Sequence, residues 1–330
     1  MTEKSEHFFR YDDIRTRPAF NPDCEISPKS WKRLIGRYTF SEKHICQVRT
    51  DKGLCHQWHN NGWLGVTNEG EEALIGCDCA ANYFNASSEF IAEKNRVNEE
   101  LARRHAIERM SWFLSNKLDT AKEFLGLEDN AKKLKESIDR IYNTMPNDVL
   151  YFLNVSQKTN NWDVYVDVQY IKYNNDDSYP DDDETEQWVK SHLGKVKSLP
   201  FQRDMDKLYQ NITQLKKFFN GFIALSHSDI ADIKTPKLKS YVKRIDQKEE
   251  FANLIDVYQR DIFSFEKLDN LELLVYVCDS TTEQYLTTQA LMKITGFKAS
   301  HRTHIDKRLL AIKDKYENKF QGRLIKKSVS

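Results

Sequence analysis

The chain has 330 residues, in which 50 Lys and Arg balance 50 Asp and Glu. It is 39% hydrophobic and 12% aromatic with only 11 Gly and 7 Pro, which excludes wholesale disorder and a turn-rich β sandwich. Two or three cores with much helix are expected at this length. The longest apolar run, Leu273 to Cys278, is far short of the ~20 residues of a membrane span. The charged start Met1-Thr2-Glu3-Lys4 leads into no apolar signal core. Six cysteines, four of them clustered, do not make a disulfide framework, so the reducing cytoplasm is the expected location.

Residues 1 to about 40 mix aromatics and charges, with Pro18, Pro22 and Pro28 between them. They read as a wrap with one short helix near Pro28–Ile35, where Pro28 suits the first turn. From about 36 to 84, Gly53, Gly62, Gly65, Gly70 and Gly76 predict short strands and knuckle turns. This stretch holds Cys46, Cys55, Cys77 and Cys79. Thiolates so close repel one another unless a cation neutralises them, and tetrahedral zinc does so with soft ligands. The first pair is separated by eight residues and the second is Cys-x-Cys, looser and tighter than the usual knuckle. The alternatives are Cys55 with His59, only one of Cys77 and Cys79, or a share for His56 or His44. Four thiolates would close the sphere, which predicts a structural zinc in a zinc-ribbon-like module rather than a catalytic one.

Beyond Asn85 the period becomes helical. Ser87 or Ser88 caps a helix whose apolar positions include Val97, Leu101, Met110, Leu114, Leu118, Ala121 and Leu125, ending at Gly126. A second helix starts at Asp129-Asn130 and carries Leu134, Ile138 and Ile141 up to Pro146. The pair reads as a helical hairpin or coiled-coil arm. Val149–Leu153 and Trp162–Ile171 predict two strands joined by a turn at Thr159-Asn160-Asn161. In the second strand Val164, Val166 and Val168 share one face, opposite Asp163, Tyr165, Asp167 and Gln169. The acidic segment 174–184 reads as a linker, and helices resume from about Thr185.

Near the C-terminus, Leu286–Phe297 followed by Lys298–Leu310 reads either as a helix-turn-helix or as an ordinary helical hairpin, with Gly296 at the turn. Asn270 to Val277 would supply the first helix. Lys298, His301, Arg302, Lys307 and Arg308 lie in a strongly basic end, which attracts phosphate through counterion release.

The expected class is therefore α+β and predominantly helical. Its parts are a zinc module (1–86), a helical arm (87–146), a β-hairpin with acidic linker (147–184) and a helical C-terminal domain (185–330). The leading functional expectation is a zinc-stapled nucleic-acid-binding protein, with DNA ahead of RNA as partner. The second is an interaction scaffold gripping a protein partner or a second copy through the arm, with no membrane involved. A diverged nuclease using His59 or Asp167 ranks last, because no catalytic constellation is complete; no phosphate loop, nucleophile elbow or His-Glu-x-x-His is present either.

Overall fold

The computed structural model describes residues 4–172, 185–321 and 324–327. In chain order the first elements are β1 (Glu6–Phe8), α1 (Tyr11–Arg15), β2 (Trp31–Ile45), β3 (Arg49–Thr50), β4 (Gly53–Leu54), β5 (Trp58–Thr67), β6 (Glu72–Gly76) and α2 (Cys77–Cys79). A π-helical turn, Ala80–Phe84, leads to α3 (Ser88–Ser115), α4 (Lys117–Thr144) and α5 (Asn147–Thr159). There follow β7 (Asp163–Lys172), β8 (Thr185–Lys195), α6 (Gln202–Phe222), α7 (His227–Asp232), α8 (Thr235–Phe265) and α9 (Leu268–Leu273). A 3-10 turn (Leu274–Val277), α10 (Thr281–Ile294), α11 (Arg302–Phe320) and β9 (Leu324–Lys327) complete the described chain. The mixed, mainly helical class is as expected. Two compact units divide it: Met1–Lys117 with Phe222–Ile245, and Leu118–Gly221 with Asp246–Ser330.

In the first unit the sheet order is β1-β2-β5-β6, with β1 parallel to β2 and the other pairs antiparallel. Successive strand residues point to opposite faces, and here both faces are buried. Leu34, Trp63, Ala73 and Ile75 pack with Cys46, Cys79, Phe84, Phe90 and Val97 on one side. Ile35, Tyr38, Leu64 and Leu74 pack with Phe8, Ile14 and Phe20 on the other. This arrangement overturns the helix expected near Pro28–Ile35. Leu34 and Ile35 enter different cores, which only an extended chain allows, and β2 bends through three register shifts against β5.

Ser87 caps α3 as expected, its Oγ accepting from the Phe90 N–H at 3.2 Å. The break falls at Asn116, however, and α4 runs straight through Gly126. One mid-helix glycine costs only about 1 kcal/mol, and the buried stripe Phe124, Ala131, Leu134, Ile138 and Ile141 offsets it. The hairpin expected to turn at Gly126 does not form.

In the second unit β7 alternates as expected, with Val164, Val166 and Val168 buried. Gln169 is the exception and is buried as well. The expected partner strand Val149–Leu153 is instead part of α5, where Val149 and Leu153 are four residues apart on one buried face. Asn160 is not a hairpin turn but the left-handed C-cap of that helix, at φ +55°. The partners of β7 are β8 and β9, in the order β8-β7-β9. The segment from Thr185 is thus a strand rather than a resumed helix, because the ladder groups of β7 require neighbours on both sides. Helices resume at Gln202. The acidic segment 174–184 lies outside the described residues.

At the C-terminal end, Gly296 takes the turn at φ +78°. Asn270 to Val277 is not one helix but the end of α9 followed by a 3-10 turn. The cap of α11 is His301, and its side chain makes no capping bond. Ile305 and Ile312 face inward, and Leu309 is half-buried. These elements do not by themselves establish a helix-turn-helix.

Candidate metal centre

Three chain segments bring cysteines together. Cys46 follows β2, Cys55 follows the β3–β4 hairpin, and Cys79 ends the α2 turn beyond β6. Their Sγ atoms all lie within 4.8 Å of one another, and Cys55 Sγ is 3.1 Å from Cys79 Sγ. Cys46 and Cys79 are buried, while Cys55 is half-buried.

The frame around them is hydrogen-bonded. Cys46 N–H donates to Gln57 O and Cys55 N–H to Val48 O, each at 2.9 Å. Gln47, 7% exposed, directs Nε2 at the carbonyls of Asn21, Pro22 and Cys24 and accepts from Leu74 N–H at 2.8 Å. A buried amide with so many partners fixes the register of the neighbouring Cys46.

Burial pushes the Cys46 thiol up, opposed by the backbone N–H groups of Gly76 and Val48, which donate to its sulfur. Cys79 is pushed up further, by burial and then by its hydrogen bond with Cys55. The two buried thiols, Cys46 and Cys79, therefore resist ionisation until a cation compensates, and a metal ion inverts that balance. The trio can hold a metal ion.

Cys77 stands outside the trio. Cys77 and Cys79 open and close one helical turn, and residues two apart on a helix diverge by about 200°. Both sulfurs of this Cys-x-Cys pair therefore cannot turn inward together. Cys77 is half-buried, its thiol raised by burial and eased by Arg37.

The histidines also separate. His56 is exposed at φ +49°, directly after Cys55. His44 stacks on Tyr11 at 3.9 Å between ring centroids. His59 does not join the cluster of ligand atoms within 4.8 Å, but it is the nearest in character to a further ligand: its Nδ1 lies 2.8 Å from the Tyr38 hydroxyl, and its Nε2 is buried without a hydrogen-bond partner. Burial first, then His44, lowers its pKa to about 4, so the ring is neutral and available as a donor atom. Gly76 makes room for it, since a Cβ there would come within 2.7 Å of His59 Cδ2. Tyr38, Gln47 and the role of Gly76 were not foreseen from the sequence, which offers no periodic or motif signal for them.

Of the basic residues, Lys298, His301, Arg302 and Lys307 are exposed around the start of α11. Arg308 is not part of that surface: it is ion-paired with Glu272, whose side chain is 4% exposed, and Lys315 reaches the same carboxylate at 2.7 Å. His59 and Asp167 fall in different units. No helix among the described residues is long and apolar enough to cross a membrane. Comparisons with protein-family models, with curated proteins and with solved structures find no match to this chain.

Proposed function

We propose that the chain is a zinc-stapled nucleic-acid-binding protein, with zinc held by Cys46, Cys55, Cys79 and His59. The observation that carries the zinc is the meeting of three thiols from three separate chain segments. Zinc suits a thiolate-and-imidazole donor set, and four protein donors leave no open position for an activated water. The orphaned Nε2 of His59 supports the fourth ligand, because a ligating imidazole characteristically gives its other N–H to a fixed acceptor, here the Tyr38 hydroxyl. The ion would tie the end of β2, the β3–β4 hairpin and the α2 turn into one piece. Stripping it with a chelator is expected to lower the melting temperature of the first unit by about 10 °C or more. An unchanged melt contradicts a structural role.

The nucleic-acid face rests on Lys298, His301, Arg302 and Lys307, beside an exposed Phe297. The uncapped first turn of α11 adds free N–H groups to the same positive end. DNA is favoured over RNA because a projecting helix end fits the B-form major groove but not the narrow A-form one. Charge reversal of Arg302 and Lys307 is expected to weaken duplex binding and to lower the salt slope by about 1 for each phosphate no longer neutralised. Unchanged affinity across the salt series removes this face as the binding surface.

One observation favours a second reading, an interaction scaffold. Leu118 and Leu125 lie seven residues apart on one side of α4 and are 73% and 48% exposed. Light scattering separates self-association through that stripe, seen as a concentration-dependent mass, from a monomer.

A further inference from the structure

The first unit carries a pocket of about 380 Å³ between the outer edge of the sheet and α3. His7 and Phe9 line it from the β1 segment, Arg37 from β2, and Arg104, His105 and Glu108 from α3. His7 and Arg37 are register partners in the parallel ladder, so the ladder itself sets them side by side.

The lining sets two arginines, with two histidines beside them, against one carboxylate, Glu108. Arg37 forms no ion pair among the described residues; its Nε is buried without an acceptor, and its guanidinium sits over Trp63 at 5.9 Å. Arg104 gives one N–H to Ser5 O at 2.6 Å and has no carboxylate partner among the described residues. Arg96 on the same helix is held by Glu93 and Glu100 instead. Both arginines are half-buried, and withdrawing part of a guanidinium from water without a counter-charge carries a cost that a bound anion relieves. His7 feels the same field: burial first, then Arg37 and His105, lower its pKa. Over the pocket stands Phe9, 56% exposed and 4.2 Å from the His7 ring between centroids.

We propose that this pocket binds a phosphomonoester carried on a planar base, with Arg37 and Arg104 on the phosphate and Phe9 against the base. Guanidinium groups match phosphate oxygens in fork geometry, and an exposed aromatic ring accepts any base by stacking. The volume suits a ligand of nucleotide size. Two sources share this chemistry: a free nucleoside monophosphate and the 5′-phosphorylated end of a strand. Neither needs the zinc ligands or the α11 surface, so this site can fail while the proposed function stands.

The test is calorimetry on the full chain with 5′-AMP, adenosine, inorganic phosphate, and a short oligothymidylate with and without its 5′-phosphate. AMP is expected to bind about tenfold or more tighter than adenosine, and Arg37→Gln and Arg104→Gln each to weaken AMP about tenfold. Phe9→Ala is expected to weaken AMP while leaving inorganic phosphate unchanged. Arg104 lies on the half-exposed face of α3, so Arg104→Gln serves if Arg37→Gln melts early. A preference for the 5′-phosphorylated strand over its 5′-hydroxyl form identifies the strand end, and AMP binding without it identifies the free nucleotide. Equal affinity for AMP and adenosine overturns the proposal, as does wild-type AMP binding in both arginine variants. So does the absence of any phosphorylated complex below about 1 mM. Wild-type AMP affinity in Phe9→Ala overturns the stacking of the base on that ring.

Discussion

Replacing Glu272 with Ala is expected to destabilise the second unit by about 3–5 kcal/mol, the range for removing one partner from a buried ion pair. Glu272 is 3% exposed overall and accepts from Arg308 and Lys315. Without it the half-buried Arg308 keeps its charge, and the buried Nε that already lacks an acceptor loses the carboxylate beside it. Lys315, 46% exposed, can turn to water, so most of the loss comes from Arg308. Urea denaturation of wild type and Glu272→Ala measures it. A change below about 1 kcal/mol would mean that the network behaves as a surface pair. The consequence for function is direct: Arg308 serves the fold, and weaker binding on its replacement would report unfolding rather than a direct role in recognition.

Gly62→Ala is expected to cost about 3 kcal/mol, the upper end for overpacking a closed site. Gly62 lies in the central part of β5, opposite Tyr38 on one side and Gly76 on the other. A Cβ there would fall on the Ile75 carbonyl oxygen and the Tyr38 hydroxyl. The first cannot move without opening the β5–β6 ladder, and the second cannot move without releasing His59. Weaker metal retention is therefore expected alongside the lower stability. Gly126→Ala is the control, because a Cβ there meets nothing within 4 Å and the helix interior gains about 1 kcal/mol. Thermal and urea melts of the two variants should move in opposite directions; a neutral Gly62→Ala would show that β5 and β6 can part without cost.

The features legible in the sequence were those encoded locally. Alternation marked β7, Ser87 marked the start of α3, and Gly296 marked the turn before α11. Grouping along the chain singled out the segment that holds Cys46, Cys55 and Cys79. Features set by distant partners were not legible. Short apolar runs such as Leu34-Ile35 and Val149–Leu153 suit either a helix or a strand, and only tertiary pairing decides between them. The strand from Thr185 follows from β7 needing a neighbour, a demand that no local pattern carries. The Cys-x-Cys spacing hid its meaning for another reason: in extended chain both sulfurs share a face, whereas the helical turn after β6 separates them. Arg308 looked free because its counter-charge, Glu272, lies thirty-six residues earlier.

Metal analysis of the purified chain and its cysteine variants decides whether the trio holds zinc. After preparation in zinc-containing medium and gel filtration, about one zinc per wild-type chain is expected. Cys46→Ser, Cys55→Ser and Cys79→Ser should each lose it, and Cys77→Ser should keep it. A wild-type chain without metal, or one whose zinc survives the joint replacement of Cys46, Cys55 and Cys79, would contradict a zinc held by the trio.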